Sequence, residues 1–248
     1  MTRVAIMQPT WLPWIGWFDL MDQVDHFVLL DDVAFSRQSW QQRNRVKLPG
    51  GLHWLTVPVR TAGRLGAPIA EVEIADPRFF ARHVRTIEQG YAGAPGLGRV
   101  RPALRALTGD WTRLVDASLD LITLLRGWLE VHTPMTRSST LGGAGDRVER
   151  LVQICRRLGA DTYVTPPGAL AYLATEATPF TAAGVEVLVH TYVHPTYAQP
   201  HPPFAPYASA IDLVLSEDER APAVMRSGRR APVPLADALA ARPTTAVA

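Results

Sequence analysis

Val4-Ala5-Ile6-Met7-Gln8-Pro9-Thr10-Trp11-Leu12-Pro13-Trp14-Ile15-Gly16-Trp17-Phe18 opens the chain, and His26-Phe27-Val28-Leu29-Leu30-Asp31-Asp32 comes soon after. Val4 to Met7 is a short unbroken apolar run, the pattern of a strand buried on both faces of a sheet. Pro9 and Pro13 impose a loop on the residues after it. From Ile15 the apolar residues recur at helical spacing, at Ile15, Phe18, Leu20, Met21 and Val24, and Phe27 to Leu30 reads as a second buried strand. Strand, helix and strand within about thirty residues is a βαβ unit, whose crossover gives parallel strands with right-handed winding. A packed core has no use for Gln8, Asp31 and Asp32 at the ends of these strands, and strand ends are where open α/β sheets bind ligands.

Carried outward, the alternation of strands and helices predicts an α/β fold, with a Rossmann-like, mostly parallel sheet and a helical lobe inserted in the middle of the chain. Residues 54–59 and 69–74 read as third and fourth strands, the latter from Val72 and Ile74 alternating with Glu71 and Glu73. Helical patterns over 79–91, 102–107 and 111–128 make up the lobe, which covers about residues 77–130. A strand at 134–139 ends on Ser138-Ser139, and a helix starts at Gly145. Residues 162–164 and 185–189 are strands separated by a short helix near 167–174. One α/β domain is expected over residues 1–215, with a weakly ordered tail rich in Ala, Pro and Arg over 216–248.

Composition narrows the function. The 248 residues are 47% hydrophobic and 19% charged, which excludes a solvated, disordered chain. A net charge of +2 gives no argument for nucleic acid or for a membrane surface. Lys47 is the only lysine, so an imine mechanism would have to use it, and beside Pro49-Gly50-Gly51 it is expected on a hairpin tip. Cys155 is the only cysteine, which rules out an internal disulfide and a Cys-rich zinc site. It falls on the apolar face of an amphipathic helix with Val148, Leu151, Ile154 and Leu158, the place of a small core residue. No signal-peptide pattern and no membrane-length apolar run are present, and the chain is expected to be cytoplasmic.

Two blocks of residues resemble the WbqC-like protein family. The first comprises Gln8-Pro9, Leu12 to Phe18, Asp31-Asp32-Val33, Ser39-Trp40, Arg43-Asn44-Arg45 and residues 54–59; the second comprises residues 192–199, Phe204, Ser209 and Ile211-Asp212-Leu213. Ser138-Ser139 and Tyr163 also match, and the likeness spans residues 3 to 215. It implies a role in O-antigen or other biosynthetic gene clusters, where glycine transfer has been suggested. The opening also resembles, more loosely, nucleotidyltransferase-type Rossmann folds, in which a His-x-Gly-His loop heads the first helix. Trp14-Ile15-Gly16-Trp17 stands in that place, and with both histidines missing the likeness is architectural.

The candidate site gathers around these blocks. Gln8 follows a buried strand, and the indole of Trp11 can stack on a ring or an acyl part, whereas Trp14 and Trp17, three apart, read as a structural pair. Side chains alternate along a strand, so of Asp31 and Asp32 one is structural and one faces the cleft as base or hydroxyl acceptor. Ser36 to Arg45 carries Trp40 and a dense set of guanidiniums and amides, of which Arg43, Asn44 and Arg45 would hold a carboxylate or phosphate. The competing reading pairs these arginines with Asp25, Asp31 and Asp32. His190, Tyr192 and His194 would share one face of a strand that ends at Pro195, leaving His194 as general base with Tyr197 and Gln199 beside it. Ser139 would bind ligand through its hydroxyl. Ser209 caps a helix, with Asp212 as its capping-box partner.

The resulting expectation is a transferase of acyl or glycyl type acting on an amine, with His194, Asp32 and Asp31 catalytic. Its substrate would be a small molecule such as a nucleotide sugar or a carrier-bound acyl group, with no cofactor, nucleic acid or membrane involved. The alternatives are a metal-dependent hydrolase or lyase using His190 and His194, and a non-catalytic ligand-binding protein. The oligomeric state is left open by the sequence.

Overall fold

A computed structural model describes residues 1–60, 66–107, 109–143 and 145–241. In chain order its elements begin with β1 (Arg3–Met7), α1 (Ile15–Asp22), β2 (His26–Leu29), β3 (Arg43–Leu48) and β4 (Gly51–Thr56). Next come α2 (Phe79–Gly90), α3 (Leu97–Ala106), α4 (Leu114–Trp128), β5 (Met135–Arg137), α5 (Ser138–Leu141) and α6 (Arg147–Arg157). After them are β6 (Thr162–Thr165), α7 (Leu170–Glu176), α8 (Thr178–Ala182) and β7 (Glu186–Val189). The described chain closes with α9 (Ala210–Glu217), α10 (Ala221–Ser227), β8 (Val233–Pro234) and α11 (Leu235–Ala240).

Six strands form one sheet in the order β5-β2-β1-β6-β7-β8, parallel except for the antiparallel edge strand β8. The α/β, Rossmann-like reading holds, with β1 at the centre. Ala5 lies opposite Phe27 on one side and Val164 on the other. Alternation along β1 sorts its side chains between two cores. Ala5 joins Phe27, Leu29 and Val164 under α1, α4 and α9, whereas Val4 and Ile6 join Val28 and Tyr163 over α6 and α8. Helices α2, α3 and α4, expected as a lobe, share the first of these cores.

The middle of the chain departs from the sequence reading. Residues 54–59 do not add to the main sheet. Their first part belongs to β4, which pairs with β3 in a separate hairpin. Pro49 and Gly50 turn that hairpin, Gly50 at φ +88°. Lys47 therefore lies inside β3 rather than at the tip, and its side chain is buried. Ile69–Glu71 is a 3-10 turn instead of strand, and of the rest of the expected strand Glu73 and Ile74 make isolated antiparallel bridges to Arg113 and Val59. The N–H groups of Ile69 and Ala70 donate to the carbonyls of Val33 and Asp31, and this coils the segment over the end of β2. Helix α3 begins before Pro102, which sits inside it.

The segment expected as a loose tail is built into the fold as far as Ala241, and 242–248 lie outside the described residues. Its anchor is electrostatic. Asp19, fully buried on α1, accepts from Arg229 Nε at 2.8 Å and Gln23 Nε2 at 2.6 Å, and lies 2.8 Å from His190 Nε2. Arg226 and Arg229 also bind Asp22 one turn on. A short α1 lined on all sides with apolar neighbours can keep a carboxylate only if it is paired this fully. Asp19→Ala leaves His190 and Arg229 facing an emptied site, and is expected to cost about 3–5 kcal/mol, read as a lower midpoint in urea unfolding.

The core around Trp11 and Phe79 carries an imidazole. His83 of α2 is 7% exposed and packs on Trp11 and Phe79, with ring centroids 5.8 and 5.3 Å away. Burial holds its pKa down, from the ordinary 6.5 to about 4. A histidine depressed on folding takes up its proton first in the unfolded chain. The stability it confers is therefore whole above pH 6.5 and is lost as pH falls through about 4. Thermal melts of His83→Phe from pH 7 to pH 4 are expected to show a shallower acid decline than wild type.

Candidate functional site

A cavity of about 900 Å³ opens off the carboxyl ends of β1, β2 and β6. It lies where the chain leaving β1 and the chain leaving β6 turn to opposite faces of the sheet, the place such folds reserve for ligands. Gln8 follows β1 in its wall, Asp32 follows β2, and Thr165 ends β6. Trp40 closes one side, and Arg147 and Arg150 from the first turns of α6 close the other.

The paired carboxylates after β2 divide as alternation requires. Asp31 is fully buried and accepts from Arg137 Nε at 2.6 Å, from the Ser139 N–H at 3.0 Å and from Ser139 Oγ at 3.0 Å. It fixes the β5–α5 junction, and Ser139 serves it rather than a ligand. Asp32 faces the crevice. Arg150 Nη1 donates to its Oδ2 at 2.8 Å and to its carbonyl at 3.0 Å, and Ser138 Oγ to its Oδ1 at 2.5 Å. The arginines that neutralise Asp31 and Asp32 thus come from β5 and α6, not from the 36–45 segment.

That segment is a shelf over the crevice, zipped to the loop after β1. The Trp11 N–H donates to the Trp40 carbonyl at 3.0 Å, and Gln41 Nε2 donates to Gln8 Oε1 at 2.8 Å. Asn44, buried, donates from Nδ2 to the Leu12 carbonyl at 2.8 Å. This holds Leu12 at φ 45°, a left-handed conformation costly for leucine. Asn44 is therefore a positioning residue. Arg43 lies over the Trp54 ring at 4.3 Å, and Arg45 is 5.4 Å from the rings of both Trp40 and Trp54. The Nε groups of Arg43 and Arg45 are buried without hydrogen-bond partners.

The role expected of Trp11 changes, whereas Trp17, 3% exposed and packed on Phe18 and Phe27, keeps its structural one. Trp11 is fully buried against Phe79 and His83, a core residue and not a binding wall. Trp14 and Trp17 also border a second pocket of about 410 Å³ at the head of α1, with Trp40, Arg45 and Tyr207. The Trp14 indole lies directly over Gly16, where any Cβ would collide with it.

The second sequence block does not converge on the crevice. His194 lies in the irregular stretch beyond β7 and has both ring nitrogens engaged, Nδ1 with the Pro195 carbonyl at 2.8 Å and Nε2 with the Tyr207 N–H at 3.1 Å. Burial lowers its pKa, and Trp14 stacks on it at 6.1 Å. His190 is buried on Asp19, so the two histidines and Asp32 do not share a site. Among the described residues no three His, Cys, Asp or Glu side chains are grouped to hold a metal. Tyr197 and Gln199 converge on Asp212, at 2.6 and 2.8 Å, with Tyr91 on its other oxygen at 2.5 Å. Burial raises the Asp212 pKa, and these donors offset only part of the rise. Ser209 caps α9 as expected, its Oγ accepting from the Ile211 N–H, but Asp212 points inward and does not complete a capping box.

The match to the WbqC-like family model covers residues 8–223. The chain belongs to the WbqC-like protein family. A relative from Mycobacterium tuberculosis, named uncharacterized protein Rv1507c, is 30% identical over 233 residues, covering 93% of this chain and all of the relative. No solved structure matches. In this WbqC-like chain no helix among the described residues is long and apolar enough to cross a membrane.

Arg147, Arg150 and Tyr172 of the crevice were missed by sequence reasoning. Residues 148–158 were read for the apolar face that buries Cys155, whose thiol is pushed up to about 12 by burial. The same helix turns Arg147 onto the Tyr172 ring at 4.7 Å and Arg150 onto Asp32. A signal existed: a helix following a parallel strand points its first turn at the strand ends. Asp31→Ala strips the buried partner from Arg137 and is expected to cost about 3–5 kcal/mol. Asp32→Asn keeps an oxygen for Ser138 and should cost about 1 kcal/mol; paired denaturant titrations separate the two.

Proposed function

We propose that this WbqC-like protein is a biosynthetic group-transfer enzyme that binds a polar small molecule in the crevice between β1 and β6. The observation that carries the reading is an accessible carboxylate, Asp32, set among Gln8, Arg147 and Arg150 at the switch point of a parallel sheet. The donor class that suits it is an acyl or aminoacyl group on an anionic carrier, such as a nucleotide or a phosphate-bearing thiol. Arg147, backed by Tyr172, would hold the carrier's phosphate or carboxylate oxygens. Asp32, held by Arg150 and Ser138, would accept a hydrogen bond from the amine of the acceptor sugar or small molecule. In the transfer the amine nitrogen attacks the acyl carbon and the C–N bond forms. The carrier leaves with the electron pair of the breaking bond, and the amine proton passes to Asp32. His194, engaged at both nitrogens, has no part in this step.

Thermal melting against nucleotide sugars, coenzyme A thioesters, glycine and ATP tests the reading, because a ligand of the native state raises the midpoint by mass action. A shift with a nucleotide sugar or thioester is expected in wild type and in Asp32→Asn, and a smaller one in Arg147→Ala. Turnover with the ligand found should fall about 100-fold or more in Asp32→Asn. Binding with no turnover toward any amine would make this a ligand-binding protein, and full turnover in Asp32→Asn would remove the carboxylate from the mechanism.

A further inference from the structure

The pocket at the head of α1 has a chemistry unlike that of the crevice it adjoins. Met7, Thr10 and Trp40 line both, so the two spaces meet across one indole that is itself half exposed. Trp14, Trp17 and Tyr207 supply the remaining aromatic walls, and among the described residues no carboxylate lines the pocket. Arg45 is the only charged side chain among them. Two donors on residues that line it are buried and lack partners. Trp17 is 3% exposed with Nε1 unpaired, and Arg45 has Nε unpaired. The rest of the Arg45 guanidinium, on a side chain that is only partly buried, is what the pocket offers an anionic oxygen.

The position in the fold sharpens the point. In a doubly wound sheet the head of the helix after the first strand is where a nucleotide's phosphates bind, because glycines let them approach its free N–H groups. Here Gly16 offers no such approach, because the Trp14 ring occupies the space over it. The glycine accommodates an indole, and aromatic rings wall the space at the head of α1.

We infer that this pocket holds the apolar arm of an acyl donor, aromatic or branched, with the Arg45 guanidinium facing its carboxylate or carbonyl oxygen. The inference rests on the group-transfer reading and deepens it: the crevice takes the polar carrier and acceptor, and the pocket takes the acyl group and sets its identity. A volume of about 410 Å³ suits a single ring with a short chain. An apolar cation of the same size is rejected by Arg45.

Phenylacetate, acetate and phenethylamine serve as probes, with binding read by saturation-transfer NMR and isothermal titration on the full chain. Phenylacetate is expected to bind at least tenfold more tightly than acetate or phenethylamine. Arg45→Gln and Tyr207→Ala, both partly exposed at the pocket and absent from the crevice lining, should each weaken phenylacetate at least fivefold. Equal affinity for acetate and phenylacetate, or phenylacetate binding unchanged in both variants, would overturn the inference. Because the readout is binding, it separates the two proposals. Phenylacetate selectivity in a protein that transfers nothing to any amine would uphold the pocket and refute the transferase. A nucleotide-sugar shift in a protein blind to phenylacetate would refute the pocket alone.

Discussion

Everything about this molecule depends on β1 having parallel neighbours on both sides. A central strand with β2 on one edge and β6 on the other sends its own chain to one face, while the chain leaving β6 is sent to the opposite face. The two departures cannot cover the strand ends between them, and a crevice is left as a topological necessity. The apolar alternation of Val4, Ala5 and Ile6 serves this arrangement directly, because each face of β1 must satisfy a different core. Gln8 is the first residue past that requirement, and it stands exposed in the crevice wall.

Several residues of the two sequence blocks fix backbone or satisfy buried groups, whether or not they also line the crevice. Asn44 pins a left-handed Leu12, Gln41 and Trp40 stitch the shelf to the β1 loop, and Tyr197 and Gln199 satisfy a buried Asp212. Two loops that lack regular structure can present side chains to a substrate only if their backbones are fixed by such contacts. A dense polar signature can therefore describe scaffolding as readily as chemistry.

This explains how far the sequence could be read. The βαβ opening, the strands near 162 and 185 and the inward placement of Cys155 were legible because burial on both faces leaves continuous apolar runs and helical stripes. The division of labour between Asp31 and Asp32 was legible from strand alternation alone. The segment 69–74 was not, because residues 69–71 coil into a 3-10 turn set by the carbonyls of Asp31 and Val33, and Glu73 and Ile74 make only isolated bridges. The order of residues 216–241 was hidden because it depends on Asp19 and Asp22, some two hundred positions upstream. His194 was misplaced for a similar reason: its partners, the Pro195 carbonyl and the Tyr207 N–H, belong to backbone that no local periodicity describes. Arg147 and Arg150 share a helix with the apolar stripe that drew the reading, and a stripe says nothing of what the opposite face meets.

The sheet's outermost strands, β5 with three residues and β8 with two, are the shortest in it, and β8 ends on Pro234, which has no N–H to offer. Sheets grow sideways by recruiting strands from other molecules onto long, flat, unpaired borders. Here each border is too brief to template such an addition, and one ends on a residue that cannot donate to it. The main sheet is thereby self-limiting, protected against edge-to-edge aggregation by the same economy of strand length that leaves its centre deep.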